Sequence, residues 1–289
     1  ALEPVAPPVQ KALFGYGSGS SSLTNLVNSS GVIASDTTGV GTGRSGLAAA
    51  SYGGDKAIFG YGTTGSNVSL TNLVNNSGVV AADVTGVGTA RSNLEAAGYG
   101  GDKAIFGYGN SGSASSLTNL VSNSGVVAAD VTGVGTARYT LGAADYGTDK
   151  AIFAFGTTGS VTNLSNLVSN SGIVASDTAG VGTARNYLAA ASYGGDKAIF
   201  GYGYAGGNVS MTNLVNNLGV IGSDVSGVGT ARNNLSATGY GGDKAIFSFA
   251  GSSNSSTNLV NSSGVVASDI TGVGTAREGA SAAGYSFSA

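Results

Sequence analysis

The sequence predicts an all-β fold: a single six-bladed β-propeller with four antiparallel strands in each blade of about 47 residues, closed by a C-terminal strand that completes the first blade. Three observations lead there. One phrase returns six times along the 289 residues, each copy divides into four short strand-forming runs, and the two chain ends hold complementary parts of one copy.

The repeat is metrically regular. The alanine opening "AIFGYG" or its variants falls at Ala12, Ala57, Ala104, Ala151, Ala198 and Ala245, in one step of 45 and four of 47. The asparagine of "TNLV" or its variants falls at Asn25, Asn72, Asn119, Asn166, Asn213 and Asn258, in four steps of 47 and one of 45. Both short steps arise in the loop between these landmarks.

In the third copy the four predicted strands are "NLEAAGYG" (93–100), "KAIFGYG" (103–109), "SLTNLVS" (116–122) and "GVVAADV" (125–131), here called A to D. Gly100-Gly101-Asp102 separates A from B and Asn123-Ser124-Gly125 separates C from D, supplying the positive φ that tight hairpins need. Helix is disfavoured because glycine recurs too often and Val, Ile, Phe, Tyr and Thr carry the runs without a 3.6-residue stripe. The small residues of A and B (Ala, Gly, Ser) suit crowded inner strands, while Ile105, Phe106, Leu120 and Val127 are expected to pack between blades. Residues 11–17 supply strand B of the first copy without a matching A, and the end of the chain supplies an A without a B. Residues 278–285 are therefore expected beside residues 12–17, leaving no long unpaired edge. Residues 1–10 hold all three prolines and read as an N-terminal extension or linker, with the propeller over residues 11–289.

The order of a "GG" pair, an apolar strand, a polar loop, a second strand and an Arg before the next unit resembles the Kelch repeat, which implies a propeller. No copy has the Trp of that repeat, and the "GG" becomes Gly147-Thr148 in the fourth. The phrases "GGDKAIFGYG" and "GVVAADVTGVGTAR" also resemble repeat tracts of marine bacteriophage proteins, which implies a tail or virion-surface component.

Composition narrows the chemistry. Without Cys or His there is no thiolate nucleophile, no Ser–His pair and no ordinary zinc or copper site, so neither cofactor nor metal is expected. The formal charge of −3 disfavours nucleic acid as a partner, and no apolar run is long enough for a membrane span.

All twelve basic residues occupy repeat positions: a Lys after the A–B turn, and Arg44, Arg91, Arg138, Arg185, Arg232 and Arg277. Asp36, Asp83, Asp130, Asp177, Asp224 and Asp269 each precede one of these arginines by eight residues. Such even repetition points to a structural role, each Arg donating to loop carbonyls or to the Asp and locking the link from D to the next A. Of the acidic residues, Glu95 and Asp145 break the pattern inside strand A and are the only pair from which a glycosidase could be drawn. Tyr139, Tyr187, Tyr204 and Asn208 break it in the loops, with side chains suited to sugars or partner surfaces. The expectation is a non-enzymatic structural or recognition protein at a virion or extracellular surface, its partners other virion or surface proteins or host-surface glycans. The alternative is a secreted carbohydrate-active enzyme (glycosidase or lyase) or a lectin on the same scaffold.

Overall fold

Each "KAIF" run, "KALF" in the first repeat, is apolar on both of its faces, and in every repeat it becomes the middle strand of an antiparallel sheet, buried from its alanine onward. The computed structural model describes residues 10–251 and 254–286. The chain runs through β1 (Lys11–Gly17) and β2 (Ser21–Val27), then β3 (Ala48–Tyr52), β4 (Lys56–Gly60) and β5 (Thr71–Val74). The third repeat holds β6 (Glu95–Tyr99), β7 (Lys103–Gly107) and β8 (Thr118–Val121); the fourth holds β9 (Gly142–Tyr146), β10 (Lys150–Ala154) and β11 (Ser165–Val168). The fifth comprises β12 (Ala189–Tyr193), β13 (Lys197–Gly201) and β14 (Thr212–Val215). The sixth comprises β15 (Leu235–Tyr240), β16 (Lys244–Ala250) and β17 (Asn258–Val260), and β18 (Ser281–Tyr285) ends the order. No helix occurs among the described residues, so none is long and apolar enough to cross a membrane.

These strands form six open three-stranded sheets, five of consecutive strands and one ordered β18-β1-β2. The last strand thus joins the first two, with Lys11 opposite Tyr285 and Gly15 opposite Ser281. Six apolar clusters make up the core, each shared by two successive sheets. One unites Tyr61 with Phe106, and another sets Tyr240, Ile246 and Phe249 of the sixth repeat against Ala12 and Phe14 of the first.

The expected fourth strand is a correction. Segment D makes only two isolated bridges to its neighbour, Val121 with Val127 and Thr118 with Val131 in the third repeat. Between those bridges four residue steps on D face three on β8, which is a bulge that breaks the ladder. Asn119 Nδ2 then takes the Ala128 carbonyl, at 3.0 Å, that a regular strand partner would have taken.

Strand limits also shift for a backbone reason. In the second to fifth repeats the middle strand ends just before an aromatic in the left-handed region, Tyr108 with φ 64° in the third, a conformation uncommon for a bulky residue; Tyr16 and Phe249 adopt it too, but β1 and β16 run past them with a shift of register. Gly100 and Gly101 have φ 63° and 79°, as a tight A–B hairpin requires. The closing strand is shorter than expected, starting at Ser281, because Gly279 turns with φ 60°.

A ring of backbone bonds joins the A–B turns. Gly53, Gly100, Gly147 and Gly194 each donate to the Asp carbonyl of the following turn, at 2.7 to 2.8 Å. Gly241 donates to Gln10, and Ser286 to Asp55, so Gln10 and Ser286 occupy the places of Asp and Gly at the junction. Gln10, assigned to a linker from sequence, is therefore part of the fold; residues 1–9 lie outside the described residues.

Candidate functional site

Two kinds of polar constellation stand out, one repeated around the molecule and one confined to the fifth repeat. The repeated one is centred on a buried arginine. Arg91, fully buried, donates from Nε to the Tyr108 carbonyl at 2.8 Å and from Nη1 to the Thr89 carbonyl at 3.1 Å. Its Nη2 reaches Asn119 Oδ1 at 2.6 Å, and its guanidinium lies over the Tyr61 ring, 4.4 Å from the centroid. One side chain thereby ties the left-handed aromatic of its own repeat to that of the next.

The acidic partner differs from the one that sequence spacing suggests. Arg91 meets Asp130 of the following repeat, at 3.8 Å, and not Asp83, eight residues before it. Asp83 instead serves Arg44, and Asp36 serves Arg277, 3.9 Å away across the chain junction. The arginines Arg138 and Arg232 pair likewise with Asp177 and Asp269. Asp130 also accepts from the Thr89 amide and hydroxyl and from Asn119. Burial by itself raises the pKa of this carboxyl. The bonds from Thr89 and Asn119, with the Arg91 charge, outweigh burial and hold the group below the usual carboxylate range.

The arginine at 185 departs from this scheme. Its Nη2 and the Asn213 Oδ1 that would receive it are both buried without a hydrogen-bond partner, as is Arg232 Nε. Desolvation, opposed by the charge of Asp224, lowers the Arg185 pKa to about 10. Both weakened latches border the fifth repeat. Asn119 and its five equivalents are wholly buried hubs of these networks, a role that sequence reading missed. The available signal was an Asn invariant within a β run, where that residue is disfavoured.

The second constellation lies where B–C loops meet the start of strand A. Tyr204, 41% exposed, bridges Asn186 on one side and Asn208 on the other, held by backbone bonds of 2.8 and 3.1 Å to Asn186. Asn233 Nδ2 donates to Asn208 Oδ1 at 2.8 Å. The fold thus brings Tyr204 and three asparagines, Asn186, Asn208 and Asn233, to one loop cluster. Tyr139, half-buried, pairs with Thr157 in the corresponding loop of the fourth repeat.

Tyr187 is placed elsewhere. With φ 51° it belongs to a ring formed by Gly46, Asn93, Thr140, Tyr187, Asn234 and Gly279, all left-handed. Five successive amides of that ring donate to the preceding carbonyl, at 2.7 to 2.9 Å. The structure keeps Tyr204 and Asn208 together and gives the Tyr187 backbone to this ring, one residue after the Asn186 that pairs with Tyr204.

Glu95 and Asp145 both line a cavity of about 330 Å³ enclosed by the A strands. They stand at different levels: Glu95 pairs with Gly107, while Asp145 pairs with Ala151, three positions further along its strand. That offset is roughly 10 Å between backbone positions along the strand direction. No protein-family model matches the chain, and no curated protein sequence matches it significantly.

Proposed function

We propose that the chain is a closed six-bladed β-propeller of Kelch-like layout that serves as a non-enzymatic recognition and structural module at a virion or extracellular surface. Its loop face engages host-surface glycans or another surface protein. Closure is supported by the pairing of β18 with β1 and by the Arg277–Asp36 contact across the chain ends. The observation that carries recognition is Tyr204, 41% exposed, on backbone paired with Asn186 and Asn208, with Asn208 in turn joined to Asn233. Near-equivalent loops in the other repeats supply further weak contacts, so avidity arises on a repetitive target. The resemblance of the repeat wording to phage tail and virion-surface proteins supports the location.

The test is a glycan array, followed by titration of any hit against the wild type and the Tyr204→Ala and Asn208→Ala variants. Binding that weakens at least tenfold in both variants, with unchanged melting, is the expected result. A featureless array together with no shift on titration of host polysaccharide sinks glycan recognition.

A further inference from the structure

The axial cavity has features that the loop face does not share. At about 330 Å³ it has room for about ten waters. Ala49, Ala96, Ala143, Ala190 and Ala237 form much of its wall, and the A–B turns rim one end. The ring containing Tyr187 and Asn234 lies at the other end, around a small adjoining space of about 40 Å³ that Glu95 also lines.

Two carboxyls interrupt this wall. Where other repeats have Ala48, Gly142, Ala189 or Ser236, the third has Glu95; where they have Ser51, Gly98 or Ser192, the fourth has Asp145. Glu95 is half-buried and Asp145 exposed, and both line the cavity. Neither forms an ion pair among the described residues. The lysines at the mouth, Lys103 and Lys244, are each paired with the preceding Asp, at 3.1 and 2.5 Å. Two carboxyls at two depths, separated by alanine and met only by neutral donors such as Ser192 beside Asp145, call for a ligand with two cationic ends and an apolar middle.

We propose that the axial cavity binds a linear aliphatic diamine, one ammonium on Asp145 near the mouth, the other on Glu95 at the inner end, and the methylenes against the alanine wall. The offset between the two strand positions suits roughly five to eight methylenes. A single metal ion does not span it, and no cluster of three metal-ligating side chains occurs among the described residues. Burial pushes the Glu95 carboxyl up to about 8 and raises that of Asp145, so a bound ammonium displaces protons near neutral pH. Uptake therefore releases protons and strengthens as pH rises from 6 to 8.5.

The experiment is calorimetric titration of 1,5-diaminopentane, 1,8-diaminooctane and butylamine into the full chain, at pH 6 and 8.5 and in two buffers of different ionisation heat. Glu95→Ala and Asp145→Ser install residues that other repeats already carry at these positions, so both variants should fold; thermal melts check this. Saturable 1:1 binding of a diamine is expected, each substitution weakening it roughly 10- to 100-fold, with no binding by the double variant. Butylamine is expected to bind at least tenfold more weakly, and Tyr204→Ala to leave the affinity unchanged. Absence of diamine binding, equal affinity in the folded double variant, or equal affinity for butylamine overturns the proposal. The glycan result stands or falls separately.

Discussion

Replacing Arg91 by alanine tests the central claim about what holds neighbouring repeats together. The side chain is fully buried, and truncation leaves Asn119 Oδ1 and the Tyr108 carbonyl without the donors now at 2.6 and 2.8 Å. Each orphaned buried acceptor costs about 2 kcal/mol, so a loss of about 4 kcal/mol is expected, with loss of the Tyr61 contact adding to it. The Thr89 carbonyl contributes less because its bond is only part-buried. Arg91→Lys keeps the charge but not the planar fork, and should lose about half as much. The assay is reversible urea unfolding followed by circular dichroism, with a double-mutant cycle against Asp130→Asn to isolate coupling across the repeat boundary. A loss below about 1 kcal/mol for Arg91→Ala would refute the assignment, since two orphaned buried acceptors cannot be that cheap.

Stability should depend on pH in two opposed ways. Asp36, Asp83, Asp130, Asp177, Asp224 and Asp269 all titrate below their ordinary range when folded. Their contribution is complete above the unfolded value near pH 4 and is lost as pH falls through the folded one, so urea midpoints should drop below about pH 4. Glu95 acts in the other direction: its folded value, near 8, exceeds the unfolded one, so its protonated form favours the fold and stability declines as pH rises from about 4 to 8. Urea midpoints of Glu95→Ala relative to wild type should therefore improve with pH over that range, and parallel profiles would count against the buried carboxyl. Gly88→Ala should cost about 3 kcal/mol, because φ is 78° and a Cβ there would lie 2.3 Å from Asp130 Oδ1. Gly101→Ala, with φ 79° and open space around it, should cost about 1 kcal/mol, and equal losses would mean that the contact is irrelevant. Deleting residues 276–289 removes β18 and Arg277 and bares one edge of β1; light scattering should show association, and a cooperatively melting monomer would contradict closure.

Much of this architecture is local enough to be legible in the chain. The A–B hairpin needs Gly100-Gly101, the middle strand needs an apolar run, and the six-fold spacing follows from counting. The repetition of Asp and Arg also marked them as structural residues. Their pairing was hidden because eight residues of separation say nothing about contact when a bulged segment carries Asp130 to Thr89 of the preceding link, beside Arg91. Tyr108 was legible as a packing residue, but its left-handed backbone was not, since it is held by bonds its amide and hydroxyl donate to the Leu117 and Val134 carbonyls and by the bond its own carbonyl accepts from Arg91.

By itself, then, the sequence determined the all-β class, the number of repeats and which residues repeat, because hairpin chemistry and strand burial act over a few residues. Tertiary structure decided which Asp meets which Arg, reduced the fourth strand to two bridges, drew Gln10 into the ring of turns, gave the Tyr187 backbone to a ring of left-handed residues and placed Glu95 and Asp145 in one cavity. Each of those depends on contacts between neighbouring repeats, where residues about 40 or more positions apart in sequence become hydrogen-bond partners.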